Sequence, residues 1–176
     1  MTMTKILLKY RLAINTDIAQ LVKLINAAYR QKNENTWTTE AEIVIGERIS
    51  HAQLEQLFKN HNFHLLVAEQ NNQVVACIGL TFEELSVEIG TFAISPDWQN
   101  QGLGKLVLDN AEKYAKDIQF DLKTYVMWVL SVRTELIEFY ERRGYIQTGV
   151  MEDYPLDADV GIPQVDLCLV EMRKVI

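Results

Sequence analysis

The sequence carries few residues that crosslink, kink or anchor a chain: 2 cysteines, 3 prolines and 8 glycines among 176 residues. Cys77 and Cys168 stand far apart in apolar runs, without the short Cys–Cys or Cys–His spacing of a metal site. They are expected as buried free thiols of a reducing compartment. His51, His61 and His64 pair with no cysteine or carboxylate at ligand spacing, so no metal is expected. No apolar run approaches bilayer length, and the stretch Met1 to Leu12 carries Lys5, Lys9 and Arg11 where a signal peptide is continuously apolar. A cytoplasmic protein without membrane association follows as the expectation. Positive charge is scarce, with 17 Lys plus Arg against 24 Asp plus Glu and a net charge of −7. That field repels polyanions, which excludes nucleic acid as the expected partner and suits a cationic or amine-bearing one. Ser-His-Asp in order with an elbow glycine is missing, so hydrolase chemistry has no support. Repeats, low-complexity tracts and linkers are missing too, which leaves one domain spanning residues 1–176 as the expectation.

With 48% hydrophobic residues the chain has ample material for a core. Ile6 to Leu12 reads as a strand, and Asp17 caps an amphipathic helix carrying Ile18, Leu21, Val22, Ile25, Ala28 and Tyr29. Thr39 with Glu42 forms a capping-box pattern that predicts a second helix through Ile49, and Ser50 with Gln53 predicts a short further one through Lys59. His64 to Glu69, Gln73 to Phe82 and Ser86 to Ile94 are separated by polar turns and read as an antiparallel meander. A helix from Leu103 follows, then a strand over Lys123 to Leu130 and a helix over Thr134 to Arg142 closed by Gly144. Strands over Tyr145 to Met151 and Val165 to Lys174 complete the chain.

Between strand and helix lies Gln99-Asn100-Gln101-Gly102-Leu103-Gly104-Lys105. The first amides of a helix have no internal partners, and glycines let an anion approach them closely. Two known phosphate loops do not fit. The P-loop needs Ser or Thr after the lysine, where Leu106 stands, and a glycine where Gln99 stands. The dinucleotide fingerprint needs a third glycine where Val107 stands.

The pattern Gln99-x-x-Gly102-x-Gly104 after an antiparallel strand resembles the acetyl-CoA signature of the Gcn5-related N-acetyltransferases. Tyr125 to Tyr145, with Phe139-Tyr140-Glu141 before Gly144-Tyr145, resembles that family's next strand–helix motif, and the element order matches along the whole chain. The resemblance implies an α/β (α+β) fold with a mixed, mostly antiparallel sheet flanked by helices, in the order β-α-α-β-β-β-α-β-α-β-β. It implies acetyl-CoA as co-substrate, with its pyrophosphate on the amides of Gln101, Gly102, Leu103, Gly104 and Lys105 behind Gln99. The pantetheine arm would pair with the backbone of Phe92, Ala93 and Ile94. That pairing requires the strand Ser86 to Ile94 to part from its parallel neighbour, and Gly90 is the expected place for a bulge. Arg133 replaces an asparagine usual in the family, and is expected either to touch a coenzyme phosphate or simply to start its helix.

Acetyl transfer needs a neutral amine, and deprotonating a lysine-like group at pH 7 costs about 4.6 kcal/mol. The resemblance points to Glu88 as base, with Glu83 and Glu84 as weaker alternatives. It points to Tyr140 as the acid that protonates the leaving thiolate. For the acceptor, the family pattern points to Tyr29 to Glu42, with Tyr29 and Trp37, and to Asp153 to Gln164. Glu152, Asp153, Asp157 and Asp159 form a negative cluster suited to an ammonium group, whether on a small molecule or a peptide. The run Trp37-Thr38-Thr39-Glu40-Ala41-Glu42 resembles a microbial subgroup of acetyltransferases. A non-catalytic acyl-CoA-binding or sensing domain is the alternative, and exposed strand edges suggest a homodimer.

Overall fold

The structure, a computed structural model, describes residues 6–176, so Lys5 and the residues before it lie outside the described part. β1 (Lys9–Leu12) leads to α1 (Ile18–Arg30), β2 (Val44–Ile45) and α2 (His51–Phe58). The meander follows as β3 (Phe63–Gln70), β4 (Gln73–Phe82) and β5 (Ser86–Ile94). α3 (Leu103–Ile118), β6 (Thr124–Leu130), α4 (Thr134–Glu141), β7 (Ile146–Asp153), β8 (Ile162–Pro163) and β9 (Cys168–Val175) complete the order.

Among the described residues the main sheet has seven strands in the order β1-β3-β4-β5-β6-β9-β7, with β5 and β6 as its only parallel pair. β4 is buried along Val74 to Leu80, as a central strand covered on both faces must be. One face carries a core built on Leu108, Ala111, Ile137 and Tyr145, which seats α3 and α4. The other carries Leu21, Ile25, Leu54 and Val67, which seat α1 and α2. The two cores cover opposite faces of the sheet.

The predicted helix from Thr39 to Ile49 does not form. The Thr39 hydroxyl donates to the Gln31 carbonyl (2.9 Å) and accepts from the Ala41 amide (3.1 Å), a turn in place of a cap. Glu40 turns inward, buried, to meet two arginines, and the chain continues as β2, paired with β8. Only glycine fits at position 161 beside that pair. Its φ is +106°, and a Cβ there would lie 2.6 Å from Val44 Cγ1 and 2.8 Å from the Ile45 carbonyl oxygen. By contrast, Ser50 and Gln53 form the predicted capping box, the Ser50 hydroxyl accepting from the Gln53 amide. Asp17 stands at the N-cap of α1, but its side chain makes no capping bond to the helix. Its carboxylate accepts from the Ile14 amide (2.8 Å) and from the Arg11 guanidinium (2.7 Å). Cys77 is buried and its thiol is pushed up to about 12 by burial, whereas Cys168 is only partly buried; both are free.

Candidate active site

β5 and β6 pair at Ser86–Thr124, Val87–Tyr125 and Glu88–Val126, and the ladder ends there. The cause lies in β5. Against β4, Cys77 faces Ala93 but Gly79 faces Gly90, so β5 carries one extra residue in this stretch. The left-handed residue of this bulge is Thr91, at φ +48°, rather than Gly90, which keeps an ordinary φ. A β-branched residue in that region is strained, and the surrounding ladder on both sides holds it there. The parted strands open a cavity of about 720 Å³.

One end of the cavity is the turn into α3. Gly102 is the N-cap, at φ +78°, and a Cβ built on it would meet nothing within 4 Å. The first bond of the helix runs from the Leu106 amide to the Gly102 carbonyl (3.4 Å), so the amides ahead of it find no carbonyl one turn back. Gly102, Leu103, Gly104 and Lys105 all line the cavity, whereas Gln101 does not and donates through its side chain to the Asp97 carbonyl (3.3 Å). Of the strand residues, Phe92 and Ile94 line it, while the Ala93 side chain is buried in the core beneath. Gln99 lines it too, but its side chain is engaged within the protein. Its carbonyl accepts from the Trp37 and Thr38 amides (2.8 and 3.3 Å), and its amide donates to the Ile94 carbonyl (3.3 Å). It thereby fastens the segment after α1 to the end of β5.

Arg133 corrects one of the two sequence readings given to it. It is buried and bonded to Glu40 (3.1 Å), Glu135 (3.3 Å) and the Thr38 hydroxyl, so its guanidinium is not free for a coenzyme phosphate. It does start α4, as its N-cap. Glu40 binds Arg30 through its other oxygen, and Arg30 donates onward to the Gly46 carbonyl (2.8 Å) and the Val160 carbonyl (2.7 Å). One buried carboxylate thus ties α1, the β2 segment, the approach to β8 and the start of α4 around the cavity. In the sequence Glu40 stands out only as part of the run Trp37 to Glu42. The available signal was its alternation with exposed Glu42, which pairs with Lys32 at 2.9 Å.

Tyr140 lines the cavity and is buried between Phe139 and Tyr145, with ring centroids 5.2 and 5.9 Å away. Burial, reinforced by Tyr29, drives its phenol well above the ordinary tyrosine range, so it keeps its proton at every physiological pH. Glu88 lines the opposite wall. Desolvation, then the charges of Glu83 and Glu152, raise its carboxyl above the usual range, and Trp128 offsets this only in part. Glu83 and Glu84 sit in the β4–β5 turn outside the cavity. Tyr29, Trp37 and Asp153 line it, as does Glu152, whereas Asp157 and Asp159 do not, so the acidic cluster divides. Trp37 rests 5.6 Å from the Phe139 ring. Three arginines not singled out from the sequence, Arg48, Arg142 and Arg143, also reach the cavity.

Among the described residues, no group of 3 or more His, Cys, Asp or Glu stands close enough to hold a metal ion, and no helix is long and apolar enough to cross a membrane.

Comparison with known proteins adds three findings. A family model described as the acetyltransferase (GNAT) family matches residues 20–145. The S-(2-succino)cysteine N-acetyltransferase of Bacillus subtilis (strain 168) is 27% identical over 149 residues, covering 80% of this chain and 86% of that protein. Among solved structures, the ribosomal-protein-S18-alanine N-acetyltransferase of Escherichia coli superposes with a TM-score of 0.70 at 15% identity, covering 97% of this chain and 94% of that one. A GNAT family acetyltransferase from Elizabethkingia anophelis with acetyl-CoA bound superposes with a TM-score of 0.62 at 20% identity, covering 72% and 84%. These two likenesses show the fold.

Proposed function

The chain belongs to the GNAT acetyltransferase family, and from that premise we propose that residues 1–176 act as one N-acetyltransferase domain. It moves an acetyl group from acetyl-CoA directly to an amine in a ternary complex. The observation that carries this reading is the parting of β5 from β6 beside the open amides of α3, with Tyr140 facing the same cavity.

The residues fit the co-substrate. The amides of Gly102 to Lys105 and the positive end of α3 suit a pyrophosphate, and the space over Gly102 lets it approach. The edge of β5 beyond Glu88 has no ladder partner on the β6 side, which suits the amides of a pantetheine arm. Acetyl-CoA supplies a thioester carbonyl, and the protein's part is to place an amine against it and move two protons. Glu88 takes the proton of the ammonium. Burial and the charges of Glu83 and Glu152 raise its carboxyl, which makes it a stronger base than an ordinary glutamate. Tyr140 returns a proton to the leaving sulfur, for which a phenol held in its protonated form is suited. Neither step requires a covalent enzyme intermediate.

A non-catalytic sensor of acyl-CoA would need neither an open acceptor side nor a phenol at the reacting end. The cavity has both, which favours the enzyme. The B. subtilis relative is named for a cysteine derivative, which supports a small amino-acid-like acceptor over a polypeptide. β7, exposed along its whole length at one sheet edge, supports the expected homodimer. The test is thermal-shift binding of acetyl-CoA followed by thiol-release assays over amines, polyamines, amino acids and peptides. Binding with acceptor-dependent thiol release is expected. Binding without release from any acceptor favours the sensor, and failure to bind overturns both readings.

A further inference from the structure

The cavity is bipolar, and the arginines that line it differ in how far their charge is already engaged. Arg133 is neutralised by Glu40, Arg142 pairs with Glu138 (3.8 Å), and Arg143 donates to the Phe139 carbonyl (2.6 Å) while lying over the Phe139 ring. Arg48 is the one guanidinium lining the cavity that has no hydrogen-bond or carboxylate partner among the described residues. Its guanidinium lies 5.2 Å from the centroid of the Tyr29 ring. Its backbone, however, is fixed. Asn26 on α1 accepts from the Arg48 and Ile49 amides (2.7 and 3.2 Å) and donates to the Ile49 carbonyl (2.8 Å). A cation held on a rigid backbone, stacked on an aromatic face and left without a counter-charge is a preorganised anion site. The acidic residues of the same cavity, Glu88, Glu152 and Asp153, stand on β5 and β7.

We propose that the acceptor is an amine that also carries a carboxylate, an amino acid or close derivative, and that Arg48 binds its carboxylate while the strand-borne acids face its amine. This rests on the acetyltransferase reading and deepens it by assigning the acceptor's carboxylate to a specificity-determining residue. An acidic protein that took a simple amine or polyamine would gain nothing from an unpaired arginine in the same cavity, since like charges disfavour that binding.

The experiment compares each of the common amino acids with its α-carboxamide as acceptor, by acetyl-CoA-dependent thiol release, in the wild type, Arg48→Ala and Arg48→Lys. Binding of the matching N-acetyl amino acids and N-acetyl amino amides to the coenzyme A complex is followed by calorimetry. The wild type is expected to prefer acids over amides by about tenfold or more. Arg48→Ala is expected to collapse that ratio toward unity chiefly through KM, with Arg48→Lys restoring part of it. The KM for acetyl-CoA should stay put. Equal use of acids and amides by the wild type overturns the proposal, as does an Arg48→Ala variant that keeps the full preference. If no acceptor turns over, the binding arm decides it independently: acid-selective binding that Arg48→Ala abolishes supports the anion site, and unselective binding overturns it. Loss of acetyl-CoA binding in the wild type is a different result, and it would strike the acetyltransferase reading itself.

Discussion

The two ends of the cavity are built in opposite ways. The end at Gly102 to Lys105 comes from one continuous stretch of chain, and its chemistry is that of backbone amides at a helix start. The end at Tyr29, Arg48 and Tyr154 comes from three distant segments, and a buried carboxylate, Glu40, binds their supports together through Arg30 and Arg133. The first end depends on the backbone and on glycine, so most side-chain changes nearby should leave it working. The second depends on tertiary charge pairing, so one substitution can undo it. The same contrast suits the two ligands the reading assigns, since a shared co-substrate suits a local device and an individual acceptor suits an adjustable one.

Removing the carboxylate at the centre of the second end has the largest expected effect. Glu40→Ala leaves the buried Arg30 guanidinium without a carboxylate and Arg133 with Glu135 alone, which is expected to cost about 3–5 kcal/mol. Thermal unfolding should drop by roughly 10 °C. The KM for the acceptor should rise by more than that for acetyl-CoA. An unchanged melting temperature would show that the ion cluster does not hold this end together.

Tyr140→Phe probes the point where the two ends meet. Losing the proton donor should lower kcat about 100-fold with little change in either KM. Its raised phenol predicts no alkaline fall in rate from this group at or below pH 10 in the wild type. A loss under tenfold would remove Tyr140 from the proposed role.

Glu88→Gln should lower kcat/KM about tenfold near neutral pH. The sign of the pH effect follows from the raised carboxyl. The base is active only when ionised, so activity falls as pH drops, and the midpoint of that fall lies above the 4.5 of an ordinary glutamate. Glu88→Gln should erase this acid limb of the kcat/KM profile. A limb that survives unchanged assigns the base elsewhere.

The smallest effect on stability belongs to the cofactor end. Gly102→Ala places a Cβ in open space but keeps a left-handed φ of +78°, so a loss of about 1 kcal/mol from strain is expected, measured by urea denaturation. The Cβ also takes up the space through which the pyrophosphate approaches, so the KM for acetyl-CoA should rise with kcat little changed. An unchanged KM would contradict the amide cradle.

The strands and long helices were legible because their signals are local. β4 and β5 lie where apolar runs and polar turns put them, and the Ser50–Gln53 box opens α2 as read. The helix expected over Thr39 to Ile49 failed for a reason invisible in a window of sequence. Glu40 has partners ten and ninety-three residues away, and burying it with them overrides local helix signals. Arg133 starts its helix as its position in the sequence suggests, but no pattern in the sequence shows that its charge is already neutralised and so not free for a phosphate. The parting of β5 and β6 was anticipated, with its bulge near Gly90. The left-handed residue proved to be Thr91, because a ladder held on both sides can impose a backbone conformation that threonine alone would avoid. Arg48 offers no motif, and what marks it is the lack of a side-chain partner among the described residues.

The central claim is that backbone amides at one end of the cavity hold acetyl-CoA along the parted edge of β5. Amide NMR of the 15N-labelled protein titrated with coenzyme A tests it most directly. The account predicts the largest shifts at Gly102, Leu103, Gly104 and Lys105, with Phe92 and Ile94 following, and smaller ones at Arg48 and Asn26. Saturable binding whose largest shifts fall outside these residues, with the α3 amides unmoved, would contradict it.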